Sequence, residues 1–275
     1  MSNGTKNLAL FCDFENIALG VRDARYARFD IEEVLERLLV KGNIVVKKAY
    51  CDWERYKDFK VDMHEASFEL IEIPHRRQSG KNSADIRMVV DALDLCYTKS
   101  HVDTFVVISG DSDFSPLVSK LRENNKLVIG VGVKESTSDL LIANCDEFIY
   151  YEDIVRNTAR RKPAKKKSAS KKSNGDASGA SSKGKVDKAE ERAQSAFNHV
   201  LETLDDIVSE RGEESQIWGS MVKQALKRRK PSFSESYHGF RSFGKLLEEM
   251  GKRKLLTLQH DEKSGGYLIT AHESD

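Results

Sequence analysis

From residue 8 to residue 155, short apolar runs alternate with segments of helical period. The runs at 8–12, 44–51, 68–73, 104–109, 126–131 and 147–150 predict six strands, and Phe105-Val106-Val107-Ile108 marks the fourth as fully buried. Between them, Ile31, Val34, Leu35, Leu38 and Leu39 recur at helical spacing. So do Ile86, Val89, Val90, Leu93 and Tyr97, and then Phe114, Leu117, Val118 and Leu121. Each set predicts a helix with that stripe facing the core. Strand and helix in alternation predict an α/β domain, a mainly parallel sheet covered on both faces. Ligand sites in such sheets open beyond the carboxyl ends of the strands, so the residues directly after each strand matter most.

The pattern breaks at 156–188. Arg160-Arg161-Lys162-Pro163-Ala164-Lys165-Lys166-Lys167 is followed by Ser, Ala, Gly and more Lys, with almost no large apolar residue to bury. This stretch reads as a flexible basic linker. Periodicity resumes with Phe197, Val200, Leu201, Leu204 and Val208, then Trp218, Val222, Ala225 and Leu226, then Phe240, Phe243, Leu247 and Met250. Strand-like runs at 254–258 and 266–270 flank a polar loop. Three helices and a hairpin predict a small winged-helix domain, giving the division 1–155, 156–188 and 189–275.

Charge sharpens this division. The 275 residues carry a net charge of only +1, but 1–155 sum to −7, 156–188 to +10 and 189–275 to −2. An acidic domain is thus tethered to a strongly basic segment, which suits a polyanionic partner. No apolar run approaches the ~20 residues of a membrane span, and the run at 8–12 is too short for a signal peptide. A cytoplasmic protein without membrane attachment is expected. Cys12, Cys51, Cys96 and Cys145 stand apart in apolar or amphipathic segments without a CxxC pair, as buried reduced thiols do. GxSxG and GKS/GKT sequences are missing, and Gly130 and Gly132 form only a GxG, which leaves hydrolase-triad and nucleotide-cradle readings without support.

Acids gather where the sheet should open. The first strand runs into Asp13-Phe14-Glu15-Asn16, the fourth into Ser109-Gly110-Asp111-Ser112-Asp113, and Asp85 starts the helix before the fourth strand. Carboxylates converging on one edge repel each other unless a cation lies among them. An all-oxygen set suits Mg2+ or Mn2+ rather than Zn2+. Each acid also has a plainer reading: Asp85 could favour its helix dipole, and Asp113 could cap the following helix, although Ser115-Pro116 already resembles an N-cap with proline at N1. Asp13 has no evident structural duty. Glu15, Asp91 and Asp94 read as surface acids.

These residues resemble the NYN domain of the PIN-like nuclease superfamily. The resemblance rests on Phe11-Cys12-Asp13-Phe14-Glu15-Asn16-Ile17, Lys81-Asn82-x-Ala84-Asp85-Ile86-x-Met88-Val89-Val90-Asp91, Ser109-Gly110-Asp111-Ser112-Asp113-Phe114 and Asn144-Cys145-Asp146-Glu147-Phe148. It implies a Rossmann-like α/β fold of PIN type, a divalent metal held by Asp13, Asp85, Asp111 and Asp113 with Asn16 as polar companion, and ribonuclease activity. Asp91 matches a further family position. The tail resembles an OST-HTH, or LOTUS, domain through Trp218-Gly219-Ser220-Met221-Val222-Lys223-Gln224-Ala225-Leu226, Pro231-Ser232-Phe233 and Tyr237-His238-Gly239-Phe240-Arg241-Ser242-Phe243-Gly244-Lys245-Leu246-Leu247, with an extra residue between Tyr237 and Gly239. That resemblance implies a winged helix connected with RNA.

The expected activity is metal-dependent hydrolysis of RNA. Arg76, Arg77 and Lys81 beside the acids, Arg160, Arg161, Lys165, Lys166 and Lys167 in the linker, and Arg241 with Lys245 on one face of the last helix would contact phosphates. A non-catalytic RNA-binding adaptor, a deoxyribonuclease with the same acids, and a protein-binding role for the tail remain open alternatives.

Overall fold

Successive residues of a strand point to opposite faces of its sheet, and the first strand has apolar residues on both sides. The computed structural model describes residues 5–73, 83–161, 183–211, 216–261 and 265–272. In β1 (Asn7–Asp13), Leu8, Leu10 and Cys12 enter one hydrophobic core while Ala9 and Phe11 enter another. Two cores require helices on both faces, and the chain supplies them. Around β1 run α1 (Phe14–Asp23), α2 (Ile31–Leu39), β2 (Asn43–Cys51), α3 (Lys60–Glu65), β3 (Glu69–Glu72), α4 (Ser83–Thr98), β4 (Thr104–Ile108), α5 (Ser115–Glu123), β5 (Leu127–Gly132), α6 (Asp139–Asn144), β6 (Glu147–Tyr150) and α7 (Tyr151–Arg161). All six strands pair in parallel, in the order β3-β2-β1-β4-β5-β6. This is the mainly parallel α/β fold that the periodicity predicts, of the PIN-like kind that the resemblance implies.

The order reverses between β1 and β4. The chain builds outward from β1 through β2 to β3, then returns to the other side of β1 and builds outward again. A crevice opens where two neighbouring strands send their following segments apart. The register Cys12↔Ile108 places Asp13 beside Ser109 at its mouth.

Three local expectations are corrected. The stripe Ile86, Val90 and Tyr97 does not face the core: these residues are exposed, and α4 buries Met88, Ala92 and Cys96 instead. The helix is apolar on two sides, so period alone selects no face. Residues 156–161 continue α7 and 183–188 open α8 (Lys183–Arg211), so both ends of the expected linker are helical. Arg, Lys and Ala are strong helix formers, and burial of Tyr151 and Ile154 anchors the first of these helices. Arg241 precedes α10 (Phe243–Lys252), whose N-cap is Ser242, so Arg241 and Lys245 do not share a helix face.

The chain divides into two compact units, 1–159 and 160–275. In the second, α8, α9 (Gly219–Arg229) and α10 join a three-stranded sheet of order β7-β9-β8, made of β7 (Ile217–Trp218), β8 (Leu256–Asp261) and β9 (Gly266–His272). Its core gathers Phe197, Val200 and Leu204 of α8 with Val222, Leu226, Leu246, Leu247 and Met250. Among the described residues, no helix is long and apolar enough to cross a membrane.

Gly130 shows how tightly β5 and β6 are joined. A Cβ at this position would lie 2.3 Å from Phe148 Cδ2 and 3.1 Å from Cys145 Sγ. The ring is buried on a well-packed face and cannot withdraw without loss. Gly130→Ala is therefore expected to destabilise the first unit by roughly 1–3 kcal/mol in urea unfolding. Unchanged stability would show that this packing is looser than described.

Candidate active site

β1 ends in Asp13, and α1 begins at the next residue, so the carboxylate that leaves the strand also caps the helix. Its Oδ1 accepts a hydrogen bond from the Asn16 N–H at 3.4 Å, and its Oδ2 accepts one from Ser109 Oγ at 2.9 Å. Ser109 Oγ in turn accepts from the Asp111 N–H at 3.2 Å. A second strap crosses the crevice where the Gly110 N–H donates to Asn16 Oδ1 at 2.9 Å, leaving the Asn16 amide free to donate through Nδ2. The structural duty of Asp13 that the sequence does not disclose is this cap. Ser109 is a further site residue missed from sequence, although it directly precedes Gly110-Asp111.

Asp111 opens the 3-10 turn Ser112–Phe114, its Oδ1 accepting from the Asp113 N–H at 3.0 Å. Ser115 does not act as the expected cap: it is the first residue of α5, and its buried Oγ has no hydrogen-bond partner among the described residues. Asp85 stands in the first turn of α4, half-buried and without a hydrogen-bond or ion-pair partner among the described residues. Asp13, Asn16, Asp85 and Asp111 line one cleft of about 440 Å³. Asp85 also lines a neighbouring groove of about 700 Å³ with the exposed Asp113 and the apolar Ile86, Val90 and Leu140. The acidic set is therefore brought to one sheet edge, with Asp113 turned toward the groove.

The electrostatics of this edge are strained. Asp13 is only 7% exposed, and burial, then repulsion from Asp85 and Asp111, pushes its carboxyl up to about 7 against the relief from Ser109 and Asn16. Burial, then Asp111, Asp113 and Glu15, pushes Asp85 up to about 6. A divalent cation would reverse the repulsive part of both shifts, and the donors are all hard oxygens, so the residues fit such an ion chemically. Among the described residues, no three His, Cys, Asp or Glu side chains stand close enough to hold a metal as they lie. Three of these carboxylates would have to shift to ligate one ion directly.

Other acids have other work. Asp91 accepts from Tyr50 Oη at 2.9 Å and pairs with Arg87 at 3.0 Å and Lys48 at 3.5 Å, which fastens α4 to β2. Glu15 pairs with Arg55 at 3.1 Å. Of the expected phosphate contacts, Arg76, Arg77, Lys81, Lys165, Lys166 and Lys167 lie outside the described residues, and Arg160 and Arg161 end α7. Arg241 and Lys245 are exposed, the latter paired with Glu248 at 2.6 Å. In the second unit Arg229 pairs with Asp206.

Comparison with known proteins agrees with this geometry. The chain is 29% identical over 142 residues to an uncharacterized protein of Methanocaldococcus jannaschii, covering 50% of this chain and 52% of that one. It is 24% identical over 163 residues to the meiosis regulator and mRNA stability factor 1 of Xenopus tropicalis, covering 59% of this chain and 10% of the relative. The chain thus spans about half of the first relative and a tenth of the second. A crystal structure of a Vibrio parahaemolyticus protein of unknown function superposes with a TM-score of 0.50 at 27% identity, covering 56% of this chain and 98% of that one. The NYN domain model matches residues 7–152, from the first residue of β1 into α7, with the whole acidic edge inside the match. On this match, which covers more than half of the chain and all six strands of the first unit, the chain belongs to the NYN domain family.

Proposed function

We propose that the first unit is an endoribonuclease dependent on Mg2+ or Mn2+, and that the rest of the chain captures its RNA substrate. The observation that carries the reading is Asp13. Capping α1 needs no charge, since asparagine caps as well as aspartate. A carboxyl so buried and so close to other acids costs stability, which catalytic use of the charge explains and folding does not. The family adds a nuclease-like, RNA-related context, and the frog relative bears a name that ties that protein to mRNA stability.

Asp13 and Asp111 would hold the cation, with Asp85 and Asp113 completing the shell directly or through water. When bound, the ion supplies a water of lowered pKa and charge stabilisation at the phosphoryl oxygens. Ser109 fixes the orientation of the Asp13 carboxyl, and Asn16, its Oδ1 held by the Gly110 N–H, would donate through Nδ2 to a water or phosphate oxygen in the cleft. Hydrolysis of this kind leaves 5'-phosphate and 3'-hydroxyl ends.

Capture falls to the basic stretch after α7 and to the second unit. The three helices and small sheet of that unit, together with its Trp218–Leu226 and Tyr237–Leu247 motifs, support a winged-helix reading of OST-HTH/LOTUS type. Arg241, Lys245, Arg160 and Arg161 at the end of α7, and Lys165, Lys166 and Lys167 after it would add sequence-independent phosphate attraction, as would Arg76, Arg77 and Lys81.

Asp13→Asn and Asp111→Asn are each expected to lower cleavage of a labelled oligoribonucleotide beyond the ~10–100-fold typical of outer-shell changes, with circular dichroism unchanged. A matched DNA and an EDTA control separate ribonuclease from deoxyribonuclease and from simple binding. A fragment ending at Arg161 should keep kcat and need more substrate. Full activity in both variants would remove the site, and equal KM in the fragment would remove the capture role.

Stability gives an independent check. The folded Asp13 value of about 7 exceeds its ordinary 3.8, so between these two values the folded state binds more protons than the unfolded state. Stability from this group is therefore highest at low pH and falls as pH rises through that window. Asp13→Asn should melt above the parent at pH 8, with the gap closing toward pH 4, and Mg2+ should raise the melting temperature of the parent more than that of the variant. A variant that melts lower at pH 8 would contradict the assignment.

A further inference from the structure

An acidic cleft is a poor receptor for a polyanion. Among its described lining residues the acid-cleft wall holds five carboxyl groups, Asp13, Glu15, Asp52, Asp85 and Asp111, and a single cationic side chain, Arg55. We infer that Arg55 is a phosphate-binding residue, one that exchanges its partner Glu15 for a backbone phosphate of the bound strand. This rests on the reading of the substrate as RNA.

The turn that carries Arg55 is built to hold it at the rim. It follows β2 directly, and its Trp53 is 1% exposed and packed on Phe14 with ring centroids 4.9 Å apart. The Trp53 N–H donates to Glu72 Oε1 at 3.1 Å, the Glu54 N–H to Asp52 Oδ1 at 3.2 Å, and the Arg55 N–H to the Asp52 carbonyl at 3.1 Å. Anchored on the core on one side, the turn leaves the guanidinium half-exposed on the other. The Arg55 side chain is 52% exposed and that of Glu15 37%, with a single contact, Arg55 Nη1 to Glu15 Oε1 at 3.1 Å. Exposed pairs with one contact contribute little to stability, so the exchange has a low cost. A phosphate offers two oxygens to the guanidinium fork where Glu15 now takes one bond, and such paired contacts are the stronger ones. Glu15 then acts as a placeholder that keeps Arg55 extended over the cleft.

The test uses the full chain and a fluorescein-labelled hexaribonucleotide, with anisotropy read in EDTA across a salt series. Arg55→Ala is expected to weaken binding by roughly 3–10-fold and to reduce the salt slope by about one counterion, while Arg55→Lys keeps the salt slope but recovers only part of the affinity, because lysine carries the charge without the fork. Glu15→Gln should tighten binding in the parent and do so much less in the Arg55→Ala background. Melting temperatures check that the variants are folded. In cleavage with Mn2+, Arg55→Ala should raise KM and move kcat little. Equal affinity and salt slope in Arg55→Ala, an identical gain from Glu15→Gln in both backgrounds, or no measurable binding by the parent would overturn the inference. Binding that depends on Arg55 in a chain that cuts with neither metal would leave the phosphate site standing and remove the nuclease reading.

Discussion

The pairing of β1 with β4 is the constraint on which the first unit depends. The two strands are neighbours in the sheet but far apart in the chain, and their following segments turn in opposite directions. Parallel strands expose their carboxyl ends on one edge, so everything that follows β1 and β4 meets there. The buried hydrogen bond from Ser109 to Asp13 closes that meeting, and the Gly110-to-Asn16 bond doubles it. Backbone register thus brings together acids separated by nearly a hundred positions.

Asp13 shows the tension in this design. It caps a helix and bridges two strands, both of which a neutral side chain could do, and it carries a charge that burial and its neighbours oppose. The surrounding fold tolerates the penalty because both faces of the sheet are filled with aliphatic and aromatic side chains, Phe11 and Phe105 stacked on one and Phe14 surrounded by aromatic rings on the other. Strain held at a site and offset by packing elsewhere is a recurrent feature of functional sites.

Much of this was legible in the sequence, for identifiable reasons. Buried parallel strands are nearly continuous apolar runs, which is why six of them stand out and the sheet class follows. The acids stand out because they come directly after two of those runs. What is not legible is orientation. On α4 two apolar stripes compete, and only packing reveals that Met88, Ala92 and Cys96 go inward while Ile86, Val90 and Tyr97 face outward. The cap of α1 is hidden because strand and helix adjoin with no loop between them. At the start of α5 the Ser-Pro pair suggests a cap, whereas Ser115 is the first residue of the helix, Phe114 stands at its N-cap without a side-chain bond, and Asp111 caps the 3-10 turn before it. Ser109 is invisible as a bridge until Asp13 is known to stand opposite. The ends of the basic stretch look like linker by composition and are helical because their residues favour helices where a neighbouring core anchors them.

The central claim is that the strand-end carboxyls behave as one coupled group. Carboxyl carbon NMR of the full chain, with Asp13 assigned by loss of its signal in Asp13→Asn, measures this directly. Asp13 is expected to titrate near 7, with a midpoint that falls when Asp85→Asn removes a neighbouring charge or when Mg2+ is added. A midpoint near the ordinary carboxylate value, unmoved by either change, would contradict it.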